Sequence, residues 1–349
     1  MQRSGRRWPR REAEARVGTI RLHYAAWGPR SAPPLLLLHG GAANTHWWDW
    51  VAPDLANDFQ VLALDFPGHG RSMWPRPPRY RMQDFVAAVV GFAKALGISR
   101  LHLVGHSMGG KVGMLVAARR PRLVDHLVIV DATPDVAADG LAEMRRIATR
   151  PLRLFPTRRM AARTFRLIPP ETVASPARLR ALAARSAWCW GPGRWSIGPD
   201  REFFGRVIPQ VAWPILPRIH CPTLILRAER SGILSRRTAT RMRDAIPRAS
   251  LLEVPDAYHH LTLERPRRVA EAIRRFLTGR PESCRSVVPG HRRCDSSPQG
   301  CSSLATHAKN ANTCGVDPGE PGVRRNNASL DPPWERSKSV RLCVLGDFA

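Results

Sequence analysis

Lysine is almost missing from this chain. All but four of its 55 basic residues are arginine, the exceptions being Lys94, Lys111, Lys309 and Lys338. Asp and Glu together number 28, which leaves a formal net charge of +27. The arginines are scattered, and no segment interleaves them with aromatic side chains in the manner of a nucleic-acid surface. The excess reads as arginine replacing lysine on solvated faces, a matter of solubility rather than of a specific nucleic-acid partner. Long apolar runs are also absent: none approaches the ~18 residues of a membrane span. The opening stretch MQRSGRRWPRREAEAR is basic without the apolar centre of a secretory signal, so a cytoplasmic protein is expected. Of seven cysteines, only Cys189 and Cys221 precede residue 279, and no CxxC or His/Cys ligand spacing occurs. A disulfide framework and a zinc site are therefore not expected, and neither a metal nor an organic cofactor is implied.

What the chain does have is rhythm. Short apolar runs recur at PLLLLHG (34–40), FQVLALDFPGHG (59–70), LHLVGHS (101–107), HLVIVDATP (126–134), PTLILRA (222–228) and SLLEVP (250–255). Continuous runs of this length suit strands buried on both faces of a parallel sheet. EARVGTIRLHYAAWG (14–28) alternates around Gly18 and predicts a hairpin. Between the runs lie segments of helical period, at residues 82–97, 107–120, 236–246 and 264–277. The alternation predicts an α/β fold with a mostly parallel central sheet and helices on both faces.

Between Pro134 and Pro217 the rhythm stops. Helical pieces such as DGLAEMRRIA and SPARLRALAARSAW precede WCWGPGRWSIGPD, and together they read as an inserted helical cap. The last block is rich in Ser, Pro, Gly and Asn and lacks a period, so disorder is expected. The expected organisation is a disordered basic lead (1–13), a first core segment (14–134), the cap (135–217), a second core segment (218–278) and a disordered tail (279–349).

One serine stands at a strand-to-helix corner, in LVGHSMGG. G-x-S-x-G at such a corner is a nucleophile elbow, with Ser107 raised on a tight turn and Gly105 and Gly109 leaving room for it. The helix that follows aims its first amides at a developing oxyanion, so the Met108 amide is one expected donor. The loop HGGAAN (39–44) is placed to supply another, with Gly41 chosen and Ala42 next.

With LLLLHGG, LALDFPGHGRS, LVGHSMGG and a C-terminal histidine segment in this order, residues 14–278 resemble the α/β-hydrolase superfamily, specifically its cap-bearing serine hydrolases. The resemblance implies esterases, lipases, carbon–carbon hydrolases, enol-lactonases or cofactor-free haloperoxidases. Epoxide hydrolases and haloalkane dehalogenases carry aspartate at the elbow, and Ser107 argues against them. It also implies the order nucleophile, acid, histidine. PDAYHHLTLERP (255–266) holds the histidine. Relatives usually show a carboxylate five positions after it, and Glu264 satisfies this for His259, leaving His260 as the alternative.

The acid is less clear. Many relatives place it in the loop after PTLILRA, where this chain has ERSGILS and Ser231 stands at the expected position. Asp131, ending the strand HLVIVDATP, is chosen because some cap-bearing relatives use that place. Glu229 is the alternative, and a dyad without an acid a third option. Asp65 is expected to brace the loop around His69 and Arg71, and His39 and His106 to be structural. Trp47, Trp48 and Trp50 are expected to pack on the core. Trp188, Trp190, Trp195 and Trp213 would give the cap an apolar lining suited to a small or medium acyl substrate. The leading expectation is a serine hydrolase of carboxylic esters or related carbonyl compounds, working through an acyl-enzyme. A carbon–carbon hydrolase, a cofactor-free haloperoxidase and a ligand receptor with little turnover remain alternatives.

Overall fold

The computed structural model describes residues 8–135, 138–207 and 210–279. β1 (Arg11–Val17) and β2 (Ile20–Trp27) form the expected hairpin, with Gly18 in its turn at φ +58°. The chain continues through β3 (Pro34–Leu38), α1 (Ala52–Leu55), β4 (Gln60–Leu64), α2 (Met82–Ala95), β5 (Leu101–His106), α3 (Met108–Arg119) and β6 (Val124–Val130). An insertion follows, with α4 (Ala138–Ala148), α5 (Arg158–Arg163), α6 (Pro176–Ser186), β7 (Ala187–Cys189), β8 (Trp195–Ile197) and α7 (Arg201–Arg206). β9 (Thr223–Ala228), α8 (Arg236–Ala245), β10 (Ala249–Val254), α9 (Leu261–Glu264) and α10 (Pro266–Thr278) complete the fold.

The main sheet has eight strands in the order β1-β2-β4-β3-β5-β6-β9-β10. β2 is antiparallel to β1 and β4, and the strands from β4 to β10 run parallel. Successive side chains of a strand point to opposite faces, so a sheet covered on both sides needs unbroken apolar runs. Leu36 and Leu38 of β3 and Leu127 and Ile129 of β6 pack with Phe85 and Phe92 of α2 and Leu115 of α3. Their neighbours Leu35, Leu37, Val128 and Val130 face the other way, toward Leu55 of α1 and Val269 and Ile273 of α10. The parallel strands therefore deliver their C-terminal ends, and the loops leaving them, to one edge of the sheet.

Two expectations need correction. The lead expected to be disordered through residue 13 gives way to strand at Arg11, which pairs with Ala26. β1 is an exposed edge strand with little apolar alternation, and partners distant in sequence hold it. Arg10 binds Asp49 at 2.6 Å, while Glu12 accepts from His23 at 2.5 Å and His23 reaches Asp65 at 2.7 Å. Burial opposes charge on His23, yet these two carboxylates hold its pKa above the ordinary value. The insertion, expected to be helical, also contains a short antiparallel pair, β7 with β8, in which Trp188 faces Ser196. The tail beyond Gly279 lies outside the described residues. Among the described residues, Cys189 and Cys221 are free thiols, and no helix is long and apolar enough to cross a membrane.

The insertion is tied to the loops after the strands. The Asp200 amide donates to the Gly68 carbonyl at 2.8 Å, and its carboxylate accepts from Arg76 at 2.8 Å and from the Tyr80 hydroxyl at 2.6 Å. Leu167, Ala174 and Leu182 pack with Trp47 and Leu263.

If two-sided burial of β3 holds the sheet, Leu37→Ala should destabilise the protein by about 2–5 kcal/mol in urea unfolding. Leu252→Ser, at a position 44% exposed on the outermost strand, should stay within about 0.5 kcal/mol of wild type.

Candidate active site

Gly105, the last residue but one of β5, lies against the first turn of α3. A Cβ on Gly105 would lie 2.2 Å from the Gly109 carbonyl oxygen, and one on Gly109 would lie 2.4 Å from that of Leu38. Side chains at these positions would push the turn open. Between them Ser107 takes φ +53° and ψ −118°, a conformation that costs a non-glycine residue of order 1–3 kcal/mol. Its amide, donating to Val130 at 3.0 Å, and its carbonyl, accepting from Lys111 at 3.1 Å, hold it there.

The loop after β3 passes directly over this corner. A Cβ on Gly40 would sit 3.2 Å from that of Ser107. Ala42 adopts φ +60°, and the ring of Phe203, from the insertion, lies closest to Gly41. His39 shapes the loop: its Nδ1–H donates to the Gly40 carbonyl at 2.7 Å, and its Nε2 accepts from the Phe66 amide at 3.1 Å. Asp65 is a brace, accepting from the amides of Thr45 at 2.7 Å and Arg71 at 3.0 Å. Although burial opposes it, His23 beside Asp65 keeps that carboxyl below the usual carboxylate range.

His259 arrives from the loop after β10 and is 3% exposed. Its Nε2 lies 3.0 Å from Ser107 Oγ and its Nδ1 lies 2.7 Å from Asp131 Oδ2. An ionised carboxylate only accepts, so Nδ1 carries the proton and Nε2 presents a lone pair to the serine hydroxyl. The backbone is anchored on both sides of the ring. The Tyr258 amide donates to Glu264 Oε2 at 2.5 Å, and His106 Nε2–H donates to the His259 carbonyl at 2.8 Å. His260 turns elsewhere and donates through Nε2 to the Pro169 carbonyl at 2.7 Å.

Asp131 lies at the end of β6 with φ +46° and is fully buried. Besides His259 it accepts from the Ala228 amide at 2.9 Å and the Ser231 hydroxyl at 2.6 Å. Ser231 in turn accepts from the amides of Ile233 and Leu234 at 3.1 and 3.0 Å. Burial pushes the Asp131 carboxyl up to about 6, against the pull of the Ser231 and Ala228 donors. Burial also pushes His259 down to about 4. Near pH 7 the pair is then a carboxylate beside a neutral imidazole. Glu229, the alternative acid, instead accepts from the Asp256 amide at 2.8 Å.

Three contributors carried no clear sequence signal. Ser231 stood out only as a missing aspartate, and its hydroxyl completes the shell of Asp131. Phe203 covers the loop after β3 and packs on His69 at 4.5 Å between ring centroids. Trp74 joins Trp188 and Trp190 at 5.3 and 4.8 Å. Trp47 stacks on His106, with ring centroids 6.0 Å apart and planes at 25°. Trp48 is wholly buried in the core, whereas Trp50 lies beneath Arg178 and Arg185. Trp213 stands apart from the aromatic trio, donating to Asp135 at 2.6 Å beneath Arg241.

Comparison with known proteins agrees with this architecture. Residues 33–173 match the family described as alpha/beta hydrolase fold. A "Serine hydrolase-like protein" from Mus musculus is 41% identical over 109 residues, covering 31% of this chain and 35% of that protein. That match thus spans little more than a third of the relative's length. A "2-(acetamidomethylene)succinate hydrolase" from Mesorhizobium japonicum is 25% identical over 261 residues, covering 75% of this chain and 93% of that enzyme. The crystal structure of an alpha/beta hydrolase from Novosphingobium aromaticivorans superposes with a TM-score of 0.65 at 28% identity, covering 77% of this chain and 98% of that one. A parallel sheet ending in a serine elbow, with a histidine delivered from after the last strand, agrees with these matches: the chain has the α/β-hydrolase fold.

Proposed function

We propose that the protein is a serine hydrolase that cleaves a carboxylic ester or a related carbonyl compound through an acyl-enzyme intermediate. The observation that carries this reading is the single imidazole shared between Ser107 Oγ at 3.0 Å and Asp131 at 2.7 Å. Ser107 Oγ attacks the substrate carbonyl carbon as its proton passes to His259 Nε2. The imidazolium so formed is stabilised by the Asp131 carboxylate and returns the proton to the leaving group. Water, deprotonated by the same nitrogen, then cleaves the acyl-serine bond. The negative charge on the tetrahedral intermediate is held by the amides of Gly41 and Met108. In support, Gly40 lies against Ser107 and Met108 opens α3, where amides lack a partner within the helix. Such donors act most strongly where water is excluded.

The insertion serves as a cap. Phe203, Trp47 and the segment ending at Pro169 enclose the site with apolar and ring surfaces, which favours a small or medium acyl group. The Mesorhizobium japonicum enzyme, by its name a hydrolase of a succinate derivative, supports a small-molecule substrate.

Purified protein should hydrolyse p-nitrophenyl acetate or butyrate. Ser107→Ala should remove the activity, a fall of roughly 10⁶-fold, and Asp131→Asn should lower kcat by roughly 10³–10⁴-fold by favouring the wrong imidazole tautomer. Unchanged hydrolysis in Ser107→Ala rejects the assignment. A fluorophosphonate that fails to label Ser107 points instead to a receptor on the same scaffold.

The pH profile tests the electrostatics. Activity needs Asp131 ionised and His259 neutral, so kcat/KM should rise with pH through about 6 and then level off. Ser231→Ala removes a hydrogen bond that favours the carboxylate. Its acid limb should therefore move to higher pH, by about one unit, whereas a merely structural role for Ser231 leaves the limb in place.

A further inference from the structure

Three imidazoles meet beside Ser107, and each has committed one nitrogen. His259 Nδ1–H goes to Asp131 at 2.7 Å, His106 Nε2–H to the His259 carbonyl at 2.8 Å, and His260 Nε2–H to the Pro169 carbonyl at 2.7 Å. Carbonyl and carboxylate oxygens accept only, so each ring keeps one nitrogen with a lone pair. For His106 and His260 that nitrogen is Nδ1, and in both it is buried without a hydrogen-bond partner. One nitrogen from each ring lies within 4.8 Å of one from each of the others. The ring centroids of His106 and His260 are 4.8 and 5.2 Å from that of His259. Trp47 packs on both, at 6.0 and 5.3 Å.

A lone buried imidazole with an unused nitrogen is usually a packing residue. Three together, each with its tautomer set by a carboxylate or carbonyl behind it, reproduce the outer-shell pattern of histidines that ligate a metal. Burial holds all three below the ordinary histidine pKa, with further lowering of His106 and His260 by His259.

We propose that His106, His259 and His260 form an inhibitory site for a transition-metal ion, of which Zn²⁺ is the type, beside the Ser107 hydroxyl. Imidazole suits zinc, copper and nickel rather than magnesium or calcium. Zinc accepts three protein ligands and keeps a fourth position open. Zn–N bonds of about 2.0–2.1 Å require the rings to draw together from their present spacing. Each ring gives a nitrogen lone pair to the ion, and at His259 the hydrogen bond from Ser107 to Nε2 is displaced. The ion thereby occupies the atom that would take the serine proton, and hydrolysis stops. This last step rests on the serine-hydrolase reading; the metal site does not.

The test uses the full chain with its thiols alkylated, so that cysteine cannot bind the metal. Wild type, His260→Gln and His106→Gln, each shown by circular dichroism to be folded, are dialysed against graded ZnCl₂ and their zinc content measured. The site predicts stoichiometric zinc in wild type and an affinity at least roughly tenfold weaker in each folded variant. Ester hydrolysis by wild type should fall with zinc and recover with EDTA, and the variants should need more zinc for the same fractional loss. Zinc retained by wild type and lost by the variants supports the site even if no ester is cleaved, in which case only the hydrolase reading fails. Equal zinc content in all three proteins, or none in wild type, overturns it.

Discussion

The hydrogen bond between Asp131 and His259 is the constraint on which the site depends. It joins the end of β6 to the loop after β10, although β9 lies between those strands in the sheet. It assigns the proton to Nδ1 and so aims a lone pair at Ser107. A lone buried carboxylate would be costly. Asp131 is accommodated because its oxygens face the His259 ring, the Ala228 amide and the Ser231 hydroxyl.

Strain is concentrated at the same edge. Ala42, Ser107 and Asp131 all have positive φ, and each follows one of the parallel strands β3, β5 and β6. The strands run in continuous ladders with packed residues on both faces, and this rigidity holds the corners in conformations they would otherwise leave. The insertion packs against the same edge. It is fastened through Asp200 to Gly68, Arg76 and Tyr80, and it brings Phe203 and Pro169 to the loops around the histidines.

Much of this was legible beforehand. The parallel strands were visible as apolar runs because burial on both faces forbids polar interruption. The elbow was visible because the clashes that a Cβ would make at Gly105 and Gly109 leave a short local signature. His259 was chosen over His260 through the spacing to Glu264 that relatives show, and it is the His259 ring that lies against Ser107. β1 began earlier than expected because an edge strand needs little apolar alternation and is held by Arg10, Glu12 and His23 acting across sequence. β7 and β8 are three residues each, too short for a period to show.

Asp131 shows where sequence stops. Asp131 and Ser231 are 100 positions apart, and neither reveals its partner by spacing. The order of β6 and β9 in the sheet brings them together, so the Ser231 hydroxyl donates to a carboxylate at the end of the neighbouring strand. The convergence of His106, His259 and His260 has the same origin. The chain alone therefore determined its layers, its raised serine and the segment whose histidine meets that serine, since these follow from periodicity and local sterics. Only the folded sheet decided which carboxylate meets that histidine and which imidazoles gather around it, because those choices are made by contacts between strand ends far apart in the chain.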